Sequence, residues 1–101
     1  MSPADAAPQV CWRIVARGRV QGVGYRDACI AAARAIGVTG WVRNRFDGAV
    51  EALACGSEAR LDRLRRWMQR GPPAAIVDDL TVEPLPLPQP GFDRFDRRPS
   101  G

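Results

Sequence analysis

Residues 10–37 read VCWRIVARGRVQGVGYRDACIAAARAIG, and this stretch decides the architecture. Val10, Trp12, Ile14 and Ala16 alternate with Cys11, Arg13, Val15 and Arg17. That is the two-residue period of a β-strand, with the first set facing a layer of helices and the second the more open side of the sheet. Glycines at 18, 22 and 24 then end the alternation. Beyond them the period changes. Tyr25, Ala28, Cys29, Ala32, Ala33 and Ile36 fall three and four residues apart, a helical apolar stripe. Gly37 stands where a helix C-terminal glycine belongs. The chain therefore opens with a strand that runs through a glycine-rich turn into a helix.

The rest of the pattern follows outward from that unit. Residues 38–45 and 49–55 read as two strands, joined through Asp47-Gly48, a tight-turn pair because glycine accepts positive φ cheaply. Ser57 caps a second helix, with Glu58 favourable in its first turn. Leu61, Leu64, Trp67 and Met68 form its buried face, and Gly71-Pro72-Pro73 stop it. A fourth strand spans 76–82. Pro84, Pro86, Pro88 and Pro90 make a stiff connector, a better reading than a proline-rich ligand when an edge strand follows. Residues 92–96 form a short fifth strand. The order β-α-β-β-α-β is the split βαβ pattern of the ferredoxin-like α+β folds. It predicts a two-layer sandwich: a mainly antiparallel sheet with two helices on one face. Right-handed crossovers set β1 and β2 parallel, with β3 antiparallel between them. One domain is expected over residues 10–96, flanked by a disordered segment 1–9 and a frayed tail 97–101.

Composition narrows the chemistry. With 46% hydrophobic and 26% charged residues in 101, the chain has the balance of one globular domain rather than of a disordered one. The net charge of +4 comes from 15 arginines, with no lysine, against 11 acidic residues. Guanidinium groups suit anions, although base composition of the coding sequence explains the missing lysine better. The arginines are interleaved with Asp and Glu, which weighs against nucleic acid as the partner. There is no histidine, which excludes a Ser-His-Asp triad and an imidazole metal site. Cys11, Cys29 and Cys55 lack zinc-site spacing, so no metal is expected. Neither a signal peptide nor a membrane span is legible, and the expected location is the cytoplasm.

The most informative segment is Gly18-Arg19-Val20-Gln21-Gly22-Val23-Gly24-Tyr25-Arg26. Glycines let successive backbone N–H groups point into one concavity, and such a nest binds anions. The helix N-terminus adds unpaired donors and partial positive charge. Arg26 lies in the first helical turn, placed to fork onto the same anion. The segment lacks the lysine of a P-loop and the third glycine of a dinucleotide fingerprint. A second feature is Gly40-Trp41-Val42-Arg43-Asn44 at the end of β2. Parallel β1 and β2 end on the same sheet edge, so Asn44 converges on the glycine loop. Its amide offers an acceptor and two donors. Alone, Arg26 would read as a solvated helix-face arginine and Asn44 as a turn former.

Together, GRVQGVGYR, GWVRN and DGAVEALACG resemble the acylphosphatase family, over about residues 10–82. The resemblance implies hydrolysis of acyl phosphates to carboxylate and phosphate, without metal or organic cofactor. It implies that the backbone from Gly18 to Tyr25 cradles the phosphate, that Arg26 is the catalytic arginine and that Asn44 orients the attacking water. Small acyl phosphates are then the expected partners, with inorganic phosphate or sulfate as bound anions, and the protein a monomer without membrane contact. The chemistry matches the residue inventory. A carboxylate leaving group, with a conjugate-acid pKa of about 4, departs without a proton donor, and phosphoryl transfer asks mainly for positioning and charge. Alkyl phosphate esters should therefore be poor substrates. At its end the chain departs from the family pattern: Arg94 stands where an aliphatic residue is common.

Two rivals share this fold. A module of larger carbamoyl-phosphate-using proteins is less favoured for a chain of this length. A nucleic-acid-binding module would place aromatics on the open sheet face, whereas the parity above puts Arg13, Val15, Arg17, Glu51 and Leu53 there. One further expectation comes from register. If β1 and β3 pair with Cys11 opposite Cys55, Trp12 meets Ala54 and Ile14 meets Ala52, which keeps both alternations on matching faces. Cys11 and Cys55 could then form a disulfide, worth about 4 kcal/mol in the chain-entropy account, although a reducing cytosol opposes it. Cys29 belongs to the buried stripe as an inert thiol.

Overall fold

In the computed structural model, which describes residues 8–101, the elements are β1 (Gln9–Arg19), α1 (Tyr25–Ile36), β2 (Thr39–Asn44), β3 (Val50–Ser57), α2 (Glu58–Arg70), β4 (Ile76–Pro84) and β5 (Phe95–Arg97). The sheet order is β4-β1-β3-β2-β5. β1 pairs antiparallel with β3 and with β4, and β2 pairs antiparallel with β3. β1 and β2 are thus parallel to each other with β3 between them. This is the ferredoxin-like α+β arrangement expected from the element order.

Alternation explains the two faces. Ile14, Ala16, Val42, Val50, Ala52 and Ala54 are buried against Tyr25, Cys29, Ala33, Leu61, Leu64 and Met68 of the helices. The register is Cys11 opposite Cys55, Trp12 opposite Ala54 and Ile14 opposite Ala52, and the two sulfurs of Cys11 and Cys55 are bonded at 2.07 Å. Ser57 Oγ caps α2 by accepting from the Arg60 amide at 3.3 Å. Gly40 lies opposite Ala54, and a Cβ at this position would stand 1.8 Å from the Leu53 carbonyl oxygen. Only glycine fits there. The helical stripe of α1 is narrower than its pattern suggested. Tyr25, Cys29 and Ala33 are buried, while Ala28, Ala32 and Ile36 line a groove shared with Trp67 of α2.

The structure revises three expectations. The fifth strand is Phe95–Arg97 rather than 92–96, and it runs parallel to β2. Phe95 supplies the buried side chain, which leaves Arg94 exposed. Residues 97–101, expected as a tail free of the fold, lie along the open edge of β2. The Arg98 amide donates to the Val42 carbonyl at 2.9 Å, the Gly101 amide to Asn44 at 3.1 Å and the Phe46 amide to Gly101 at 3.1 Å. An unpaired strand edge recruits whatever backbone runs beside it. At the other end β1 begins at Gln9, inside the segment expected to be disordered, whose residues 1–7 lie outside those described.

The open face also carries an aromatic residue that parity had not assigned to it. Trp41 stands opposite Leu53, and Arg43 opposite Glu51. Trp41 is only 9% exposed, under the guanidiniums of Arg43 and Arg98, which lie 5.1 Å and 5.2 Å from its ring centroid. Covered in this way it is no stacking platform. Beside it the buried Glu51 carboxylate meets Arg43 at 2.8 Å and Arg13 at 3.0 Å. Arginines that looked unbalanced in the sequence thus serve to hold a buried charge. On α2, Arg65 and Arg66 pair with Asp62.

Candidate active site

The loop after β1 turns on glycine. Gly22 has φ 74° and Gly24 φ 79°, and no non-glycine residue has positive φ among those described. Neither position is crowded, since a Cβ would meet nothing within 4 Å. What selects glycine here is the left-handed backbone itself, which aims consecutive N–H groups to one side. Gly24 is also the N-cap of α1 and receives no side-chain cap, so the first amides of the helix stay open to a ligand.

Three anchors hold the loop. Val20 is buried beneath it. The Gln21 amide nitrogen donates to the carbonyls of Arg45 at 2.8 Å and Ala49 at 2.9 Å, tying the loop to the β2–β3 turn. The Tyr25 hydroxyl donates to the Met68 carbonyl at 2.6 Å, while its ring meets Trp67 edge-on at 5.5 Å. Burial, with Cys29 adding, pushes the Tyr25 phenol far above its ordinary range, so it stays a neutral donor. Burial likewise pushes the Cys29 thiol up to about 12.

Asn44 ends β2 opposite Val50. The hairpin turn beyond it is closed by the Arg45 amide on the Ala49 carbonyl at 2.8 Å. It is stiffened by Asp47, whose carboxylate accepts from the Ala49 amide at 3.1 Å. That N–H, with Arg17 and Arg45 beside it, holds the Asp47 carboxyl below its usual range. The glycine loop and Asn44 meet as the parallel pair required. A cleft of about 210 Å³ is lined by Val20, Gly22, Gly24, Tyr25, Arg26, Asp27, Asn44 and Arg97. Asn44 Oδ1 is buried and has no hydrogen-bond partner among the described residues. Arg26, also in the wall, makes no salt bridge among them.

Not every residue of the quoted segment reaches the cleft. Gly18 and Arg19 are still strand, paired with Val77 and Ile76 of β4. Gln21 acts as a brace through its side chain, and neither it nor Val23 lines the cleft. Asp27 and Arg97 were absent from the sequence reading and do line it. Among the described residues no three His, Cys, Asp or Glu side chains converge as metal ligands. The groups on hand are backbone N–H donors, the guanidiniums of Arg26 and Arg97, the Asn44 amide and the Asp27 carboxylate; guanidiniums and N–H groups together are suited to an oxyanion.

Comparison with known proteins identifies the family. The acylphosphatase family profile matches residues 12–96. A protein of Ralstonia nicotianae named acylphosphatase 1 is 50% identical over 97 residues, spanning 96% of this chain and 95% of its own. Among solved structures, an acylphosphatase from Bacillus subtilis superposes with a TM-score of 0.84 at 37% identity, covering 88% of this chain and 98% of that one. One from Coxiella burnetii gives 0.84 at 31% identity, covering 97% and 100%. A ferredoxin-like sandwich with a small cleft between the head of α1 and the end of β2 is the class that fold and site define. The chain belongs to the acylphosphatase family.

Proposed function

We propose that this chain performs its family's reaction, acyl phosphate plus water giving carboxylate and phosphate, in the cleft between Gly24 and Asn44. The phosphoryl oxygens sit on the backbone N–H groups of the loop and the head of α1, with Arg26 forked onto them. Asn44 Oδ1 accepts an O–H of the attacking water and aims its oxygen at phosphorus. As the new P–O bond forms, the bond to the acyl oxygen breaks and the carboxylate leaves with the electron pair. Both protons of the water end on the phosphate product or in solvent. No acid is needed for a leaving group whose conjugate acid has a pKa of about 4, and stabilisation of equatorial charge carries the catalysis.

The observation that carries this reading is one cleft lined by both Asn44 and Arg26, with Asn44 Oδ1 buried and without a hydrogen-bond partner, and Arg26 without a salt bridge, among the described residues. A buried acceptor left without a donor costs stability, which makes sense when its donor arrives with the reaction. Among the described residues no helix is long and apolar enough to cross a membrane. We place the enzyme in the cytoplasm as a monomer, to be checked by fractionation and by light scattering.

The test is hydrolysis of acetyl phosphate and benzoyl phosphate with EDTA present. Wild type should turn both over. Arg26→Ala should lose at least about a hundredfold in kcat, because each charge-assisted hydrogen bond removed is worth roughly 1.5–3 kcal/mol. A folded wild type without turnover, or an Arg26→Ala variant with undiminished kcat, refutes the assignment.

A further inference from the structure

Arg97 arrives at the cleft from β5, a strand the reaction as written does not use. Its Cα pairs with Val42 on β2, two residues from Asn44, and it lines the cleft together with Gly24, Tyr25 and Arg26 at the head of α1. One terminal nitrogen of its guanidinium donates to Asp27. It makes no other hydrogen bond among the described residues, so most of its N–H donors are uncommitted. Asp27 makes the arrangement unusual. A carboxylate in the first turn of a helix suits the helix dipole, yet here it borders a cleft meant for a doubly charged phosphoryl group, which it repels.

The pair's own energetics say what it is for. The Arg97 and Asp27 side chains are 45% and 76% exposed. An ion pair that wet contributes between nothing and about 1 kcal/mol to stability. Its placement bears on the charge of the cleft instead. With Arg97 paired, the two charges cancel at the cleft wall, and the guanidinium keeps free donors.

We infer that Arg97 is a second phosphate-holding residue, docked on Asp27 until the anion arrives and then shared with or drawn onto it. The inference rests on the cleft being the phosphate site. Asp27 competes with substrate for this guanidinium, so the two partners of one salt bridge have opposite effects on anion affinity. A merely structural bridge gives the same effect from either side.

The experiment is calorimetric binding of inorganic phosphate to wild type, Arg97→Ala, Arg97→Lys, Asp27→Asn and Arg26→Ala, with melting curves for each and KM and kcat for acetyl phosphate. Arg97→Ala should weaken phosphate binding about tenfold, the worth of one charge-assisted hydrogen bond. It should raise KM more than it lowers kcat. Arg97→Lys, which keeps charge without the fork, should fall between it and wild type, and serves as the reading if the alanine variant does not fold. Asp27→Asn should tighten phosphate by roughly two- to fivefold, the range of an exposed ion pair. Weakening by both Asp27→Asn and Arg97→Ala, or no effect of Arg97→Ala, overturns the inference. If wild type binds no phosphate and hydrolyses no acyl phosphate, the cleft assignment falls with it. If wild type does both and only the paired variants depart from opposite signs, the role of Arg97 alone falls.

Discussion

Replacing Asn44 by alanine should separate activity from stability more cleanly than any other change in this chain. The side-chain oxygen is buried and unpartnered among the described residues, so its removal breaks no side-chain hydrogen bond of the fold. It relieves the desolvation penalty of an unsatisfied group, about 1–3 kcal/mol. Against that stand the lower strand propensity of alanine, on a scale spanning about 1 kcal/mol, and some lost packing. The backbone pairing of residue 44 with Val50 and the Gly101 amide is untouched. The net change should be zero within about 1 kcal/mol, which in a domain of this size moves the midpoint by no more than about 4–8 °C in either direction. Turnover should behave differently. Loss of a preorganised group that acts on the reacting atoms typically costs about 10²–10³ in kcat. Thermal melts and initial rates on benzoyl phosphate, from the same preparation, measure both quantities. Two results refute the reasoning. A destabilisation well beyond 2 kcal/mol (taken as roughly twice the strand-propensity range) means that Oδ1 holds the fold together. A kcat within about tenfold of wild type means that the water is positioned by something else.

Gln21→Ala removes two hydrogen bonds, but the Ala49 carbonyl keeps the Arg45 amide and the Arg45 carbonyl keeps the Gly48 amide. With neither acceptor orphaned, the loss should be about 1–3 kcal/mol by urea unfolding, and kcat should drop as the loop loosens; unchanged stability removes the brace from the account. Iodoacetamide at pH 8 should leave all three cysteines of the native, unreduced protein unlabelled, since Cys29 is buried with its thiol pushed up to about 12. Denaturation should then expose one thiol, and reduction two more, while early labelling of Cys11 or Cys55 argues against the bridge. Asp47 has a folded pKa below its unfolded one, so its ionised form stabilises the fold above about pH 4 and loses that effect as pH falls through the depressed value. The stability gap between wild type and Asp47→Asn should therefore be constant at neutral pH and close in acid. A gap that does not begin to narrow as the pH falls below the ordinary aspartate value of about 3.9 sinks this assignment.

The parts legible in the sequence are those with a period or a special backbone. β1, α1 and the hairpin declare themselves by alternation and a glycine turn. Alternation narrows the register of β1 on β3 without fixing it, since shifts of two residues also keep Ile14 and Ala52 on the helix side; setting Cys11 opposite Cys55 selects the register observed. The anion loop is visible because glycines cluster where a strand becomes a helix. Gln21 gives no such signal, since a side chain bonding to carbonyls more than twenty residues away leaves no pattern. β5 is legible as a strand but not in its bounds: three residues with one buried side chain, Phe95, are too short to show a period, and the edge of β2 decides their position. Arg97 was missed with those bounds. Trp41 could have been found, because counting parity from Gly40 places it on the open face with Leu53.

The position of β1 in the sheet also has a consequence for the order in which the molecule is made. Of the described strands, the first to be synthesised, β1, lies inside the sheet with β3 on one side and β4 on the other. Its partners are distant in sequence, running from Val50 opposite Ala16 to Pro84 opposite Trp12. Among the sheet's pairings only the β2–β3 hairpin is local, so early structure should gather there and on α1. Closing long loops before their contacts form places such topologies in the slower range of small domains, milliseconds to seconds. Until β4 has been synthesised, β1 presents an open edge with Val15 and Ile14 beside it, a template for pairing with another chain. Between the emergence of residue 57 and that of residue 84, β1 can already pair with β3 while its other edge waits for β4.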